Sequence, residues 1–232
     1  MFPKSLLLLS LFAFASCAAQ RRSPEDLQRE VSERIHSKSR PAILFVGNSY
    51  SFGVPAALEK IAAKHGQSIR TGHSTNGGWK LSQHAKHEAT LRKIRSGHWD
   101  IVVLQEYSET PAMPFWIRRP AMIPAVRSLA KEARDAGAIP VLYQTWGRRD
   151  GNKAHPFLCP FDNFLKMSRR LRSGYASASE ACGGILIIPA GDFWEREVIS
   201  GHGGELFQPD GSHPTDAGNH LTATAFHTSL FR

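Results

Sequence analysis

The chain has 232 residues, of which 41% are hydrophobic and 21% are charged. These values are ordinary for a soluble globular protein, and the length suits one α/β domain with a sizeable core. The formal net charge is +9, but the basic residues are spread along the chain and no basic block is interleaved with aromatic residues. We therefore expect no nucleic-acid partner. Cys159 and Cys182 can form a disulfide in an oxidising compartment or remain separate thiols.

A signal peptide is predicted over residues 1–19. Lys4 gives a positive start, and residues 6–15 form an apolar segment too short to span a bilayer comfortably. Ala15-Ser16-Cys17 resembles the end of a bacterial lipoprotein signal, which implies cleavage before Cys17 and lipidation of that residue. The alternative is ordinary cleavage near Ala19. Both routes predict an exported protein, in the bacterial cell envelope or secreted, whose contact with a membrane is only through the lipid anchor.

Residues 20–40 are predicted to be a linker that contains one short helix. Ser23 is a suitable N-cap, Pro24 suits the first helical position, and the next two residues are acidic. We therefore expect a surface helix over residues 24–36. The folded domain is expected to comprise residues 41–232.

Strand-like and helix-like segments alternate along this domain. Short, almost continuously apolar runs predict buried strands, and most of the segments between them have helical spacing and end at a glycine. This alternation predicts an α/β fold, a three-layer α/β/α sandwich with a central parallel sheet of about five strands. The predicted strands are 43–46, 68–73, 100–105, 139–144 and 185–188, and the predicted helices are 54–65, 80–96, 123–136, 161–181 and 215–230.

The first predicted strand leads directly into a turn that carries a hydroxyl group. Residues 43–46 are apolar and are followed by Gly47-Asn48-Ser49-Tyr50 and then by a helical segment. Ser49 is therefore expected at the carboxyl end of a strand, where open α/β sheets place their chemistry and where a helix N-terminus favours negative charge. This makes Ser49 the first candidate nucleophile. The alternative is that Asn48 and Ser49 only cap the helix.

A second motif, Asp210-Gly211-Ser212-His213, lies near the end of the chain, just before the last predicted helix. At this spacing the Asp210 carboxylate can accept a hydrogen bond from the imidazole of His213. Such a bond fixes the tautomer and leaves the other ring nitrogen free to take a proton from a hydroxyl group. Taken alone, the motif also fits a pair of metal ligands or a turn with a surface histidine.

Together the two motifs resemble those of the SGNH/GDSL hydrolase superfamily, in particular its bacterial branch with a Gly-Asn-Ser-Tyr first block. The resemblance runs from about residue 41 to the end of the chain. It implies the flavodoxin-like three-layer fold and ester hydrolysis through an acyl-enzyme, with no metal and no organic cofactor. It assigns Ser49 as nucleophile, His213 as general base and Asp210 as the residue that orients the base. Intermediate segments that agree in order are 75–81, 99–108 and 145–148.

The same resemblance implies an oxyanion hole, the group of donors that stabilises the tetrahedral intermediate. The backbone N–H of Ser49 is expected to be one donor and that of Gly78 another, with Gly77 as the rival of Gly78. The asparagine of the superfamily's third block is missing from this sequence. Gln105, at the end of the third predicted strand, is the expected substitute. Two nearby residues are alternatives to it: Ser108 and Glu106.

A substrate-binding rim is expected on the loops at the catalytic edge. Its members follow predicted strand ends or turns, and they supply aromatic faces, flexible backbone and one positive charge. The alternative for the aromatic side chains is core packing or simple exposure. His84, at helical spacing after the glycine pair, is a further candidate for the mouth of the cleft. The expected rim consists of Gly77, Trp79, Tyr107, Trp146 and Arg148.

The sequence thus predicts an exported serine esterase that removes a small acyl group from a carbohydrate or a similar small-molecule or glycan ester. A lipase or lysophospholipase is the alternative substrate class. The missing third-block asparagine suggests a different class, a non-catalytic sugar-binding protein on the same fold. A further alternative is a flavodoxin-like phosphate or nucleotide binder that uses residues 47–53 as a cradle, which leaves the motif at residues 210–213 unexplained.

Overall fold

Five parallel strands form the central sheet of the computed structural model, which describes residues 22–232. The predicted signal peptide and Cys17 lie outside these residues. The order of the strands across the sheet is β2-β1-β3-β4-β5. The strands are β1 (Ala42–Gly47), β2 (Arg70–Thr75), β3 (Ile101–Leu104), β4 (Ile139–Tyr143) and β5 (Leu186–Ile188).

Helices cover both faces of the sheet, so the predicted three-layer α/β/α sandwich is confirmed. One layer contains α3 to α6 and the other contains α1, α2, α7 and α8. No helix within residues 22–232 is long and apolar enough to cross a lipid bilayer. The helices are α1 (Pro24–His36), α2 (Val54–Lys64), α3 (Leu81–His84), α4 (Glu88–Ser96), α5 (Phe115–Asp135), α6 (Phe164–Ala181), α7 (Ala190–Ile199) and α8 (Asp216–Leu230).

The two faces of the sheet bury alternate side chains of each strand, because successive residues of a strand point to opposite sides. In β1, Ile43 and Phe45 pack in a core with residues of α1, α2 and α8. Leu44 and Val46 pack in the other core with residues of α4, α5 and α6. All six residues of β1 are buried, which explains why the strand is a continuous apolar run. Each buried side chain of this size contributes about 1.5–3 kcal/mol of hydrophobic stabilisation.

The helices differ from the prediction at three places in the chain. The segment 80–96 forms two helices, because the chain turns after His84 and begins again at α4. Helix α5 begins at residue 115 rather than 123 and continues through Pro120 and Pro124. Both prolines are exposed, so the carbonyl groups that lose their N–H donors can be hydrated. Helix α7 was not predicted from the sequence.

The helix over residues 24–36 forms as predicted, with Ser23 as N-cap and Pro24 in the first turn. Its placement differs from the expectation of a linker. Val31 and Ile35 are buried in the core, and the side chain of Gln28 donates to the backbone of α8. Helix α1 is therefore an integral part of the domain.

The strand order places a topological switch point between β1 and β3, where open α/β sheets form a crevice at the carboxyl edge. The chain passes from β1 outward to β2 and then returns to β3 on the other side of β1. The loops that follow β1 and β3 therefore leave in opposite directions, and such switch points are where open α/β sheets bind ligands. The turn that contains Ser49 follows β1, the segment that begins at Gln105 follows β3, and the glycine pair follows β2.

We predict that Gly174→Ala destabilises the fold although alanine is the better helix former by about 1 kcal/mol. A Cβ at Gly174 in α6 would lie 2.1 Å from the carbonyl oxygen of Pro111. The backbone must shift to accommodate it, at a cost of about 1–3 kcal/mol. Urea denaturation measures the change in the free energy of unfolding. Gly204→Ala is the control, because its Cβ would meet no atom within 4 Å. Equal stability of the two variants would contradict this account of the α6 contact.

Candidate active site

The turn after β1 exposes a serine on a short 3-10 helix, Ser49–Ser51. Asn48 caps this helix, since its side-chain oxygen accepts from the backbone N–H of Tyr50 at 3.2 Å. Its side-chain amide also donates to the carbonyl oxygen of Trp79 at 2.9 Å. Asn48 is thus the capping residue, and Ser49 is left half-buried at the surface of the crevice.

Ser49, His213 and Asp210 lie in hydrogen-bond contact, although 164 residues separate the serine from the histidine. The Ser49 hydroxyl oxygen is 2.9 Å from Nε2 of His213. Nδ1 of the same ring is 2.5 Å from Oδ2 of Asp210. The other carboxylate oxygen accepts from the backbone N–H groups of Ser212 and His213 at 2.9 and 3.0 Å. The chain therefore places a hydroxyl, an imidazole and a carboxylate in the order that nucleophilic catalysis requires.

The carboxyl group of Asp210 is held in its charged form. Partial burial acts to raise its pKa, but the hydrogen bonds from His213 and from the backbone N–H groups outweigh burial and lower the pKa to about 2. Asp210 is therefore a carboxylate at any pH at which the protein is expected to work. A carboxylate in this position favours the tautomer of His213 that leaves Nε2 free to accept from Ser49.

Aromatic side chains hold the loop that carries His213. The hydroxyl groups of Tyr50 and Ser212 are 2.6 Å apart, and the ring of Tyr50 meets the His213 ring edge-on at 5.5 Å. Nε1 of Trp146 donates to the carbonyl oxygen of Ser212 at 3.1 Å. Tyr50, Trp146 and Trp194 form a stack with centroid distances of 4.7 and 3.9 Å. This stack fixes the position of the histidine loop relative to the serine turn.

The place of Trp146 in this stack corrects its assignment to the substrate-binding rim. Its side chain is fully buried. One face of the ring is covered by Tyr50 and the other lies against Trp194. No ring face remains for a substrate, so Trp146 is a core residue that supports the site.

The side chain of Gln105 supports the serine turn from below. It is fully buried, and its carbonyl oxygen accepts from the backbone N–H of Asn48 at 2.8 Å and from the Ser51 hydroxyl at 3.1 Å. Its amide nitrogen donates to the carbonyl oxygen of Glu106 at 2.5 Å. The amide is thus engaged inside the protein, and this arrangement argues against the expected role of Gln105 as an oxyanion donor. Gly47 permits the contact, because a Cβ there would lie 2.4 Å from the Gln105 oxygen.

The loop after β2 brings the predicted second block to the serine turn. Asn48 is bonded to the carbonyl oxygen of Trp79, so the adjacent Gly77 and Gly78 lie beside the crevice. Both glycines are exposed, and Gly78 has φ +72°, a left-handed conformation that favours glycine. Within residues 22–232, neither the N–H of Gly78 nor that of Ser49 donates a hydrogen bond. These two backbone donors are available to a ligand.

The remaining rim residues differ in their surroundings. Tyr107 is half-buried, with the ammonium group of Lys80 6.0 Å from its ring centroid. The guanidinium group of Arg148 pairs with Glu109 at 2.7 Å and donates to Ser108 at 3.1 Å. Burial opposes the charge of Arg148, but Glu109 and neighbouring tyrosines raise the net pKa of the guanidinium group. Trp79 is half-buried and packs its ring against two histidines, His84 and His87.

His84 lies beneath the serine turn and does not reach the mouth of the cleft. It is fully buried. Its Nε2 is 2.8 Å from the carbonyl oxygen of Gly47 and its Nδ1 is 3.1 Å from the Thr90 hydroxyl. Burial lowers the pKa of His84, so the neutral ring donates to Gly47 and ties α3 to the end of β1.

The described part of the chain bears on two further expectations from the sequence, a disulfide between Cys159 and Cys182 and a metal site. Cys159 and Cys182 are separate thiols. Within residues 22–232 no group of three or more histidine, cysteine, aspartate or glutamate side chains is placed to hold a metal ion.

Known proteins were compared with the chain by sequence and by structure. No protein-family model matches the sequence, and no curated protein matches it. Solved structures do match. A DUF4886 family protein from Bacteroides uniformis has a TM-score of 0.71 and 19% identity, with 82% of this chain and 83% of that chain covered. LAE5, an alpha/beta hydrolase enzyme from the metagenome of Lake Arreo, has a TM-score of 0.61 and 14% identity, with 83% and 96% covered.

A third match, the acetyl xylan esterase AlAXEase, has a TM-score of 0.57 and 14% identity, with 82% of this chain and 99% of that chain covered. A lipase/acylhydrolase from Enterococcus faecalis matches as well. The chain has the SGNH hydrolase fold. At these identities the matches establish the architecture, and the chemistry has to be argued from this chain's own residues.

Within this SGNH fold, Glu106 links the third strand to the second block. Its side chain is fully buried, and Oε1 accepts from the backbone N–H groups of Tyr107 at 2.7 Å and Leu81 at 3.2 Å. Oε2 is buried and has no hydrogen-bond partner among residues 22–232. Burial raises the pKa of Glu106 to about 7, and the hydrogen bonds from Tyr107 and Leu81 and the charge of Lys80 offset burial only in part.

Sequence reasoning missed the supporting roles of Tyr50, Glu106 and His84. Tyr50 belongs to the first block, and its position next to Ser49 is the signal that it can contact the triad. The sequence pattern offers Glu106 only as an alternative oxyanion donor. A glutamate directly after a buried strand is itself a sign of a carboxyl group with a specific partner.

We predict that the stability of Glu106→Gln relative to wild type increases as the pH rises. The folded pKa lies above that of the unfolded chain, so the native state binds more protons and loses stability as pH increases from about 4.5 through 7. Glutamine keeps an acceptor oxygen without ionising. The free energy of unfolding of the variant, relative to wild type, should rise by about 2–3 kcal/mol between pH 4.5 and pH 8. Urea denaturation at both pH values measures it, and a difference independent of pH would contradict the burial of an ionisable Glu106.

Proposed function

We propose that this protein is a serine esterase with Ser49 as nucleophile, His213 as general base and Asp210 as the orienting carboxylate. The observation that carries the proposal is the continuous chain of hydrogen bonds from the half-buried Ser49 hydroxyl through the imidazole to a charged carboxylate. A surface turn with a histidine requires no such alignment. The matches to esterases and an acylhydrolase with the same fold support ester hydrolysis in general.

The geometry supports the following mechanism. Ser49 attacks the ester carbonyl carbon while Nε2 of His213 takes its proton, and the carboxylate of Asp210 stabilises the imidazolium that forms. His213 then returns the proton to the leaving alcohol oxygen, which leaves an acyl group on Ser49. A water molecule, deprotonated by His213 in the same way, attacks the acyl carbonyl carbon. The collapse of the second tetrahedral intermediate releases the carboxylic acid and restores the serine.

The oxyanion is assigned to two backbone donors, the N–H groups of Ser49 and Gly78. Neither donates to another atom of residues 22–232, and both lie on the loops that Asn48 joins at the crevice. Backbone donors of this type are already oriented before the reaction begins and need no reorganisation. Gln105 is assigned to the support of Ser49, because its amide is used within the protein.

We infer a small acyl group on a carbohydrate-like alcohol as the substrate class. Tyr107 and Trp79 offer partly exposed aromatic surface at the rim, which suits a sugar ring. One of the matching structures is an acetyl xylan esterase. We also propose export, with lipidation of Cys17, from the N-terminal sequence pattern. A polymer outside the cell is a consistent target for an exported esterase.

We predict that Ser49→Ala abolishes turnover of p-nitrophenyl acetate. The hydroxyl is the attacking group, so the loss should be at least about 10³-fold in kcat, while circular dichroism and thermal unfolding stay close to wild type. Ser229→Ala is the matched control and should hydrolyse the ester like wild type, since Ser229 lies at the far end of α8. If the well-folded Ser49→Ala variant hydrolyses the ester as fast as wild type, the proposal is contradicted. If neither wild type nor Ser49→Ala hydrolyses the ester, the sugar-binding alternative is favoured.

We predict that Asp210→Asn lowers kcat by about 10²–10⁴-fold with little change in KM. An asparagine retains an oxygen for the backbone N–H groups of the loop, but its amide donor favours the wrong tautomer of His213. Asp216→Asn, at an exposed position at the start of α8, is the matched control.

A comparison of p-nitrophenyl acetate with p-nitrophenyl octanoate tests the acyl class, and preference for octanoate would move the proposal to a lipase-type substrate.

A further inference from the structure

Two neighbouring helices of one layer contain long segments with basic residues and no acidic ones, and their acidic residues, Glu132, Asp135 and Glu180, lie at the C-terminal ends. Residues 110–131, which include most of α5, contain four lysines or arginines and no aspartate or glutamate. Residues 163–179, which include most of α6, have the same composition, four basic residues and no acidic residue. The whole chain contains 29 basic and 20 acidic residues, so this segregation is a property of these two segments and not of the chain as a whole. We call the outward side of α5 and α6 the basic face.

The two helices lie side by side and run in the same direction. Arg118 of α5 donates to Ser173 and Ser177 of α6, and Arg127, nine residues later, donates to the carbonyl oxygen of Ala181. The basic residues of both helices therefore belong to one surface. Five of them form no ion pair within residues 22–232: Arg118, Arg119, Arg127, Lys166 and Arg169.

The basic face also carries exposed apolar side chains. Phe115 is 53% exposed and Trp116 is 71% exposed, at the beginning of α5. With Pro120, Ile123 and Pro124 these residues line a surface groove that Arg119 and Arg127 border. Exposure of such apolar side chains to water is energetically unfavourable. The combination of exposed aromatic groups with unpaired cations is typical of helices that lie at a membrane interface.

We propose that the basic face of α5 and α6 docks on an anionic lipid bilayer, with Trp116 and Phe115 inserted at the level of the headgroups. Phosphate groups of the lipids supply the anionic partners that the five cations lack. The apolar groove distinguishes this partner from a nucleic acid or an acidic polymer, which would be bound by the charges but would leave Trp116 and Phe115 in water. This docking is a property separate from the proposed ester hydrolysis.

Tryptophan fluorescence provides a direct test, because Trp116 is the most exposed of the five tryptophans and the N-terminal segment contains none. The full chain is titrated with vesicles of phosphatidylglycerol and phosphatidylcholine in equal amounts. We expect a blue shift of the emission that is weak or absent with pure phosphatidylcholine and that disappears in Trp116→Phe. An unchanged emission maximum at saturating anionic vesicles would overturn the proposal.

A pair of charge reversals tests the electrostatic part. Arg119→Glu/Arg127→Glu should weaken binding to the anionic vesicles by about tenfold or more. Lys60→Glu/Lys64→Glu makes the same change of net charge on exposed residues of α2, in the opposite layer, and should weaken binding by less than about threefold. Equal losses in the two double variants would show attraction by net charge alone and overturn the assignment of the face.

Two further outcomes would identify a different occupant. If the protein binds an acidic polysaccharide or DNA through Arg119 and Arg127 but shows no vesicle-dependent shift of Trp116, the partner is a polyanion and not a lipid surface. If sedimentation shows a dimer that Trp116→Ser abolishes, and dimerisation prevents vesicle binding, the face is occupied by a second copy of the chain. Retention of p-nitrophenyl acetate hydrolysis by all these variants confirms that the domain is folded.

Discussion

The hydrogen bonds of one buried amide, that of Gln105, are the constraint on which the catalytic edge depends. Its oxygen accepts from the backbone of Asn48 and from the Ser51 hydroxyl, so the turn that carries Ser49 is joined to the end of β3 as well as to β1. The contact requires the absence of a side chain at Gly47. Loss of the acceptor would leave buried donors unpaired, at a cost of about 1–3 kcal/mol each. The position of the hydroxyl is therefore set by two adjacent strands.

Sequence alone predicted those parts of the molecule that depend on local pattern. The apolar run of β1, the glycine after it and the cap of α1 each have a local physical cause, and the structure contains them. The contact of Ser49 with His213 was reached through motif resemblance. The burial of Trp146 depends on which rings cover it, and the start of α5 depends on whether two prolines face solvent. Both are tertiary properties that no local pattern contains.

The catalytic edge and its supports are assembled from segments that lie far apart in the sequence. Each candidate group is supported by a neighbour that does not itself face the crevice: Gln105 lies under the serine turn, Tyr50 beside the histidine, and Glu106 under the loop of Gly78. The exposed part of the site is small, and the buried part is large. This division explains why the supports, rather than the triad, were the residues that sequence reasoning missed.

The packing of α1 into the core has a consequence for the mobility of the protein on a surface. Because α1 is fixed to the domain from Ser23 onward, the five residues 18–22 between an acylated Cys17 and the domain would form a tether at most about 20 Å long when fully extended. A tether of this length gives the basic face a high effective concentration at the bilayer. Weak individual contacts of the face would then suffice to keep the orientation of the crevice relative to the bilayer.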